Sequence, residues 1–162
     1  MRGLEIDLDA ALDKRRENFL AFLQSAESIA FPGAAELIEA AYKHPDWKLA
    51  VATSSRSDRA GATLAAAAID LSRVDAVITG DMVTHMKPDP EIYFTSARII
   101  DVPIQACVVI EDSLVGLEAA KAAGAQCIAV TNTFPREKLS GADRIVDSLT
   151  QVDLAMLLAL VT

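Results

Sequence analysis

CVVIEDSLVGLEAAKAAGAQCIAV, residues 107–130, is the stretch whose reading decides the fold. Cys107–Ile110 is an unbroken apolar run with β-branched content, as expected of a strand buried on both faces. Ser113–Ala123 follows as a helix and is stopped by Gly124, the residue best suited to a left-handed helix end. Gln126–Val130 is again an apolar run of strand length. Strand, helix and strand in this order form one crossover unit of a parallel sheet.

The alternation continues outward on both sides. Upstream, Ala34–Lys43 reads as a helix opened by Pro32-Gly33, and Lys48–Thr53 as a buried strand. Ser57–Ile69 is a helix with Ser57 as N-cap, and Val74–Thr79 is the next strand. A helix then runs to about Ile100, with Asp89 as N-cap and Pro90 at the first helical position. Downstream, Arg144–Val146 is a short strand, and Val152–Leu160 closes as an amphipathic helix. The expectation is an α/β fold, a Rossmann-like three-layer arrangement of parallel sheet with helices on both faces. Leu12–Gln24 stands apart as a helix outside any strand–helix unit, with Leu12, Phe19, Leu20 and Leu23 at helical spacing. There is no Gly-x-Gly-x-x-Gly, so a dinucleotide-binding reading has no motif behind it.

Composition narrows the function classes. The 162 residues suffice for one domain with a real core, and 52% hydrophobic against 23% charged residues indicates a globular chain. Aromatics are 5%, so the core must be built from Ala, Val, Leu and Ile. A net charge of -8 and a pI near 4.7 argue against nucleic acid and anionic membrane surfaces as partners. A phosphorylated small molecule needs only local cations and stays compatible. Met1–Asp9 has no apolar signal region, and no stretch approaches the roughly 20 apolar residues that span a bilayer. The expected location is cytoplasmic. Cys107 and Cys127 lie in apolar runs and read as small buried hydrophobes in a reducing compartment.

In doubly wound sheets, ligands sit beyond the carboxyl ends of the strands. Those ends carry Thr53-Ser54-Ser55, then Gly80-Asp81 with His85-Met86-Lys87-Pro88-Asp89-Pro90, then Glu111-Asp112-Ser113. A hydroxyl cluster, an ammonium and paired carboxylates can together hold phosphoryl oxygens and Mg²⁺. Taken singly, each has an ordinary reading. Thr53 could make a local turn bond, Lys87 could be a solvated loop lysine, and Glu111-Asp112 could favour the positive end of a helix. Their joint occurrence at successive strand ends favours a site. His44 and His85 read as surface loop residues and Trp47 as a packing residue.

Thr53 after an apolar strand, Lys87 in Lys-Pro-x-Pro, and Glu111-Asp112-Ser-x-x-Gly before an Ala-rich helix resemble the second, third and fourth motifs of the haloacid dehalogenase-like hydrolase superfamily. Lys87 follows Thr53 by 34 residues, and Glu111 follows Lys87 by 24. The wording is closest to the β-phosphoglucomutase and phosphoglycolate phosphatase branch, through Phe31-Pro32-Gly33, Lys87–Tyr93 and Ile110–Gly124. The resemblance implies a Mg²⁺-dependent phosphatase or phosphomutase acting on a small phosphorylated metabolite. Thr53 and Ser54 would then bind the phosphoryl group and Lys87 neutralise it. Asp112 would ligate Mg²⁺, with Glu111 beside it in the inner or outer shell and Ser113 as a supporting polar group. Met86 stands where this branch often has glycine.

The superfamily's first motif is an apolar strand followed by Asp-x-Asp-x-Thr, whose first aspartate attacks phosphorus and whose second is the general acid/base. Asp7 and Asp9 match its aspartate spacing, but only Leu4–Ile6 could form the strand, and Ala10-Ala11 replace the usual Gly-Thr. The expectation is that residues 1–30 are a remnant of a helical cap, with Asp9 as a helix N-cap, and that 31–162 is a core lacking its first strand. Such a core exposes two strand edges that invite self-association. Two alternatives stay open. Asp7 and Asp9 could be the catalytic pair of a capless phosphatase, or the chain could be a catalytically dead interaction module. A receiver-like signalling domain fits less well, because its acids belong at the first strand.

Overall fold

A computed structural model describes residues 7–25 and 29–161. The first helix, α1 (Leu8–Ser25), begins four residues before the apolar pattern that marks it in sequence. Its start is set by Asp7, whose Oδ1 accepts from the Ala10 amide at 3.1 Å. Asp7, and not Asp9, therefore occupies the cap position, and Asp9 lies in the first turn. The helix lies against α3 (Ser57–Ala66): Leu23 is buried, and the Arg59 guanidinium sits 5.3 Å from the centroid of the Phe19 ring. Leu8 and Phe22 are left exposed.

From α2 (Ala34–Tyr42) onward the chain alternates β1 (Ala50–Ala52), α3, β2 (Ala76–Ile78), α4 (Glu91–Ile99), β3 (Val108–Glu111), α5 (Leu114–Ala123), β4 (Gln126–Val130), β5 (Arg144–Val146) and α6 (Leu154–Val161). Every ladder is parallel. The alternation of side chains along each strand sorts the core into two halves. Val109, Cys127, Ala129 and Ile145 face a cluster with Ile92 and Tyr93 of α4 and Leu117 and Ala120 of α5, shared by Ala50, Ala52 and Ile78 of the first two strands. Val108, Ile110, Ile128, Val130 and Val146 face the other way, against Leu37 of α2, Trp47, and Leu157 of α6. This is the expected three-layer α/β arrangement, and Trp47 packs as its sequence reading anticipated. No helix among the described residues is long and apolar enough to cross a membrane.

The ladders fall into two sets, β1-β2 and β3-β4-β5. Among the described residues β1 and β3 each pair on one edge only. Their residues are only half-buried, whereas four of the five in β4 are buried.

Several element ends differ from the sequence expectation, for local reasons. β1 starts at Ala50, because the Leu49 amide donates to Asp75 Oδ2 at 2.8 Å and not to a ladder. Ser57 is the first residue of α3 and not its cap; Arg56 holds the cap position without a side-chain bond. α4 starts one residue late, with Pro90 at its cap, while Asp89 Oδ1 still accepts from the Glu91 amide at 2.9 Å. Ser113 does cap α5, its Oγ accepting from the Gly116 amide at 3.1 Å. Gly124 ends that helix at φ 80°, the left-handed region where a missing Cβ removes the steric cost.

Candidate functional site

The three sequence clusters converge at the carboxyl ends of β1, β2 and β3. Thr53 continues β1, its amide donating to Ile78 O at 2.9 Å. Its Oγ1 accepts from the Ser55 amide at 3.1 Å, which fixes the hydroxyl and leaves its proton to point elsewhere. Ser54 is exposed at the tip of this turn. The turn lies flat on the segment after β2: the Gly80 amide donates to Ser55 O at 2.8 Å. A Cβ on Gly80 would stand 2.5 Å from Ser54 O, so the close approach requires glycine there.

Lys87, on the loop before α4, is the centre of the arrangement. Its side chain is only 6% exposed. The Nζ donates to Glu111 Oε1 at 2.5 Å and to Ala52 O at 3.3 Å, and lies 4.9 Å from the Tyr93 ring centroid. One ammonium thus joins the end of β1, beside Thr53, to the end of β3, beside Asp112.

Glu111 is fully engaged. Oε1 also accepts from the Tyr93 hydroxyl at 2.8 Å. Oε2 accepts from Ser113 Oγ at 2.9 Å and from the amides of Asp112 and Ser113 at 3.2 and 3.3 Å. Burial pushes its carboxyl up, but the Lys87 charge and the hydrogen bonds from Lys87, Tyr93 and Ser113 outweigh that and hold it below its ordinary value. The same burial, reinforced by the Glu111 charge, raises the Tyr93 phenol. Cys127 is pushed up to about 12, first by burial and then by Glu111, so its thiol is an inert packing group; burial also raises Cys107.

Both Glu111 oxygens already face donors, which leaves this carboxylate the outer-shell half of the expectation. Asp112, the next residue, projects the other way, as alternation requires. Its Oδ2 accepts from the Thr133 hydroxyl, and among the described residues Oδ1 has no hydrogen-bond partner. A carboxylate with such a free oxygen, at strand ends that also carry a lysine and a hydroxyl, fits Mg²⁺, which takes one or two carboxylates and fills its other positions with water and phosphate oxygens. The donor set at Asp112 suits such an ion better than that at Glu111.

Tyr93 and Thr133 have no role in the sequence reading, and Gly116 appears there only as the last residue of a motif. Nothing local in the sequence says where the Tyr93 hydroxyl points. A Cβ on Gly116 would overlap the Glu111 carboxylate, which accounts for the glycine in Glu-Asp-Ser-x-x-Gly. His85 is an exposed loop residue as expected, its Nδ1 2.9 Å from Glu91 Oε2, and His44 is exposed too. Asp7 and Asp9 stand at the start of α1, where the Asp7 carboxylate is occupied as a cap.

A family model described as haloacid dehalogenase-like hydrolase matches residues 2–124. The Arabidopsis thaliana chloroplastic protein SUPPRESSOR OF QUENCHING 1 is 41% identical over 137 residues, which are 84% of this chain and 13% of that protein. Protein CbbY of Cereibacter sphaeroides is 39% identical over 141 residues, 85% of this chain and 61% of that one. The chain therefore spans less than two thirds of either relative's length. Among solved structures, a variant of CbbY from Rhodobacter sphaeroides in complex with xylulose-(1,5)bisphosphate superposes with a TM-score of 0.81 at 37% identity, covering 97% of this chain and 72% of that one.

Proposed function

The chain belongs to the haloacid dehalogenase-like hydrolase family, and from that premise we propose that it serves Mg²⁺-dependent phosphoryl transfer from a small phosphorylated metabolite, as a phosphatase or phosphomutase. The observation that carries this reading is the buried Lys87–Glu111 pair, which holds an ammonium between the Ala52 carbonyl, next to Thr53, and the Glu111 carboxylate, next to Asp112. A lysine at this burial is costly unless it is paired, and its position serves an anion at the strand ends.

In this reading the Thr53 hydroxyl donates to a phosphoryl oxygen, because its own oxygen already accepts from the Ser55 amide. Ser54 lies within the same turn and assists. Lys87 neutralises the phosphoryl charge, held in aim by Glu111 and by the Tyr93 ring. Asp112 holds Mg²⁺, which supplies charge neutralisation on the phosphoryl oxygens when bound. Arg56, exposed three residues beyond Thr53 and in no ion pair among the described residues, is placed for a second anionic group. A sugar bisphosphate, the class bound by the CbbY relative, has that form.

Asp7 and Asp9 are not the nucleophile and acid/base pair in this proposal, since they open α1 and Asp7 is spent on its cap. Residues 1–30 then belong to a helical cap and 31–162 to the core. The second reading, a binding module without turnover, is favoured by that same cap role of Asp7. Calorimetric titration with orthovanadate in the presence and absence of Mg²⁺, beside turnover on sugar phosphates, separates the two. Mg²⁺-dependent binding with turnover supports the enzyme, binding without turnover supports the module, and no oxyanion binding refutes both.

A further inference from the structure

We propose that Asp81 is the positioning residue of the Thr53–Arg56 turn, an inference that rests on the oxyanion-binding role given above to Thr53. The N-terminus of α3 has no local cap, since Arg56 makes no side-chain bond to it. Asp81 supplies the missing acceptor from 24 residues away: Oδ1 accepts from the Ser57 amide at 3.0 Å, and Oδ2 from Ser57 Oγ at 2.7 Å. Its own aim is set by Thr79, a buried side chain whose Oγ1 donates to Asp81 Oδ1 at 2.6 Å. With the Thr53 amide on Ile78 O and the Gly80 amide on Ser55 O, the turn is fastened at Thr53, at Ser55 and at the adjoining Ser57 to the segment 78–81.

Two consequences follow. The turn cannot hinge about Ser57 while the carboxylate holds it, so the Thr53 hydroxyl keeps one direction. In addition, Asp81 occupies the positive end of α3, the place where a phosphate would otherwise settle on bare amides. An incoming oxyanion is thereby left to the side of the turn where Thr53 and Lys87 stand. The hydrogen bonds from Thr79 and then Ser57 keep this carboxyl down at about 2, so the clamp is charged throughout the physiological range.

The test compares wild type with Asp81→Ala, Asp81→Asn and Ser57→Ala. Orthovanadate affinity is read by calorimetry in Mg²⁺, and amide hydrogen exchange is read at Ser55 and Ser57 against the β4 core. Expected for Asp81→Ala is an affinity loss of about tenfold, the worth of one charge-assisted hydrogen bond. It should come with faster exchange at Ser55 and Ser57 and unchanged protection in β4. Asp81→Asn keeps the acceptor for Thr79 and the Ser57 amide and should restore most of the affinity. An Asp81→Ala protein with wild-type affinity and wild-type exchange at Ser57 overturns the inference. A wild type that binds no oxyanion overturns the function proposed for Thr53, while the exchange arm still decides whether Asp81 holds the turn.

Discussion

Replacing Lys87 by Met tests the centre of the site, because it removes the charge while keeping most of the stem. The Lys87 and Glu111 side chains are 6% and 11% exposed, so the change leaves a buried carboxylate without its counter-charge. Breaking a buried pair from one side costs about 3–5 kcal/mol. Tyr93, Ser113 and two backbone amides still face Glu111, which places the cost at the lower end, about 3 kcal/mol. With a urea dependence of roughly 1–3 kcal/mol per M, the unfolding midpoint should drop by about 1–3 M at pH 7. The pH dependence carries the sharper check. In the wild type the Glu111 carboxyl is held below its ordinary 4.5, so its contribution is complete above that value and lost as pH falls through the lowered one. In Lys87→Met, burial is no longer outweighed by the lysine, the carboxyl rises, and the folded protein gains relative stability as Glu111 takes up its proton. The gap between the two proteins should therefore close on acidification below about pH 5. Lys87→Met/Glu111→Gln should regain much of the loss at pH 7. A variant as stable as wild type at pH 7, or a gap that stays constant to pH 4, would refute the reasoning.

Gly116→Ala places a methyl group on the Glu111 carboxylate and should cost about 1–3 kcal/mol, read as a lowered thermal midpoint. Asp112→Asn should abolish measurable Mg²⁺ binding in calorimetry while leaving the midpoint near wild type, because the amide oxygen can still accept from Thr133. The free edges of β1 and β3 should make the isolated chain associate as its concentration rises, visible by light scattering. A monomer that unfolds sharply and reversibly at high stability would count against open edges.

The sequence was most legible where an apolar strand runs directly into polar residues. Gln126–Val130 and Arg144–Val146 form strands with the bounds read from their pattern, and Thr53, Lys87 and Asp112 gather at neighbouring strand ends. What failed to show in sequence is non-local. The Leu49 amide is taken by Asp75, which shortens β1, and the start of α3 is capped by Asp81, far along the chain. Neither partner can be inferred from the few residues around the element it terminates. Glu111 and Asp112 look alike as adjacent acids. Strand alternation sends one toward Lys87 and the other past the strand end, so only the second has a free oxygen. The role of Tyr93 was hidden for a related reason: its hydroxyl meets Glu111 only across the fold, once α4 has packed on β1 and β2.

The position of Lys87 ties the site to the fold. Among the described residues β1 and β3 share no ladder, yet Lys87 Nζ touches Ala52 O on one and Glu111 on the other. The ammonium therefore joins the two halves of the sheet at the same atoms that would receive a phosphoryl group, while Ile92 and Tyr93 of α4 join them in the core beneath. An oxyanion bound by Lys87, Thr53 and an Asp112-held cation would add contacts to both halves at once and stabilise their mutual placement by mass action.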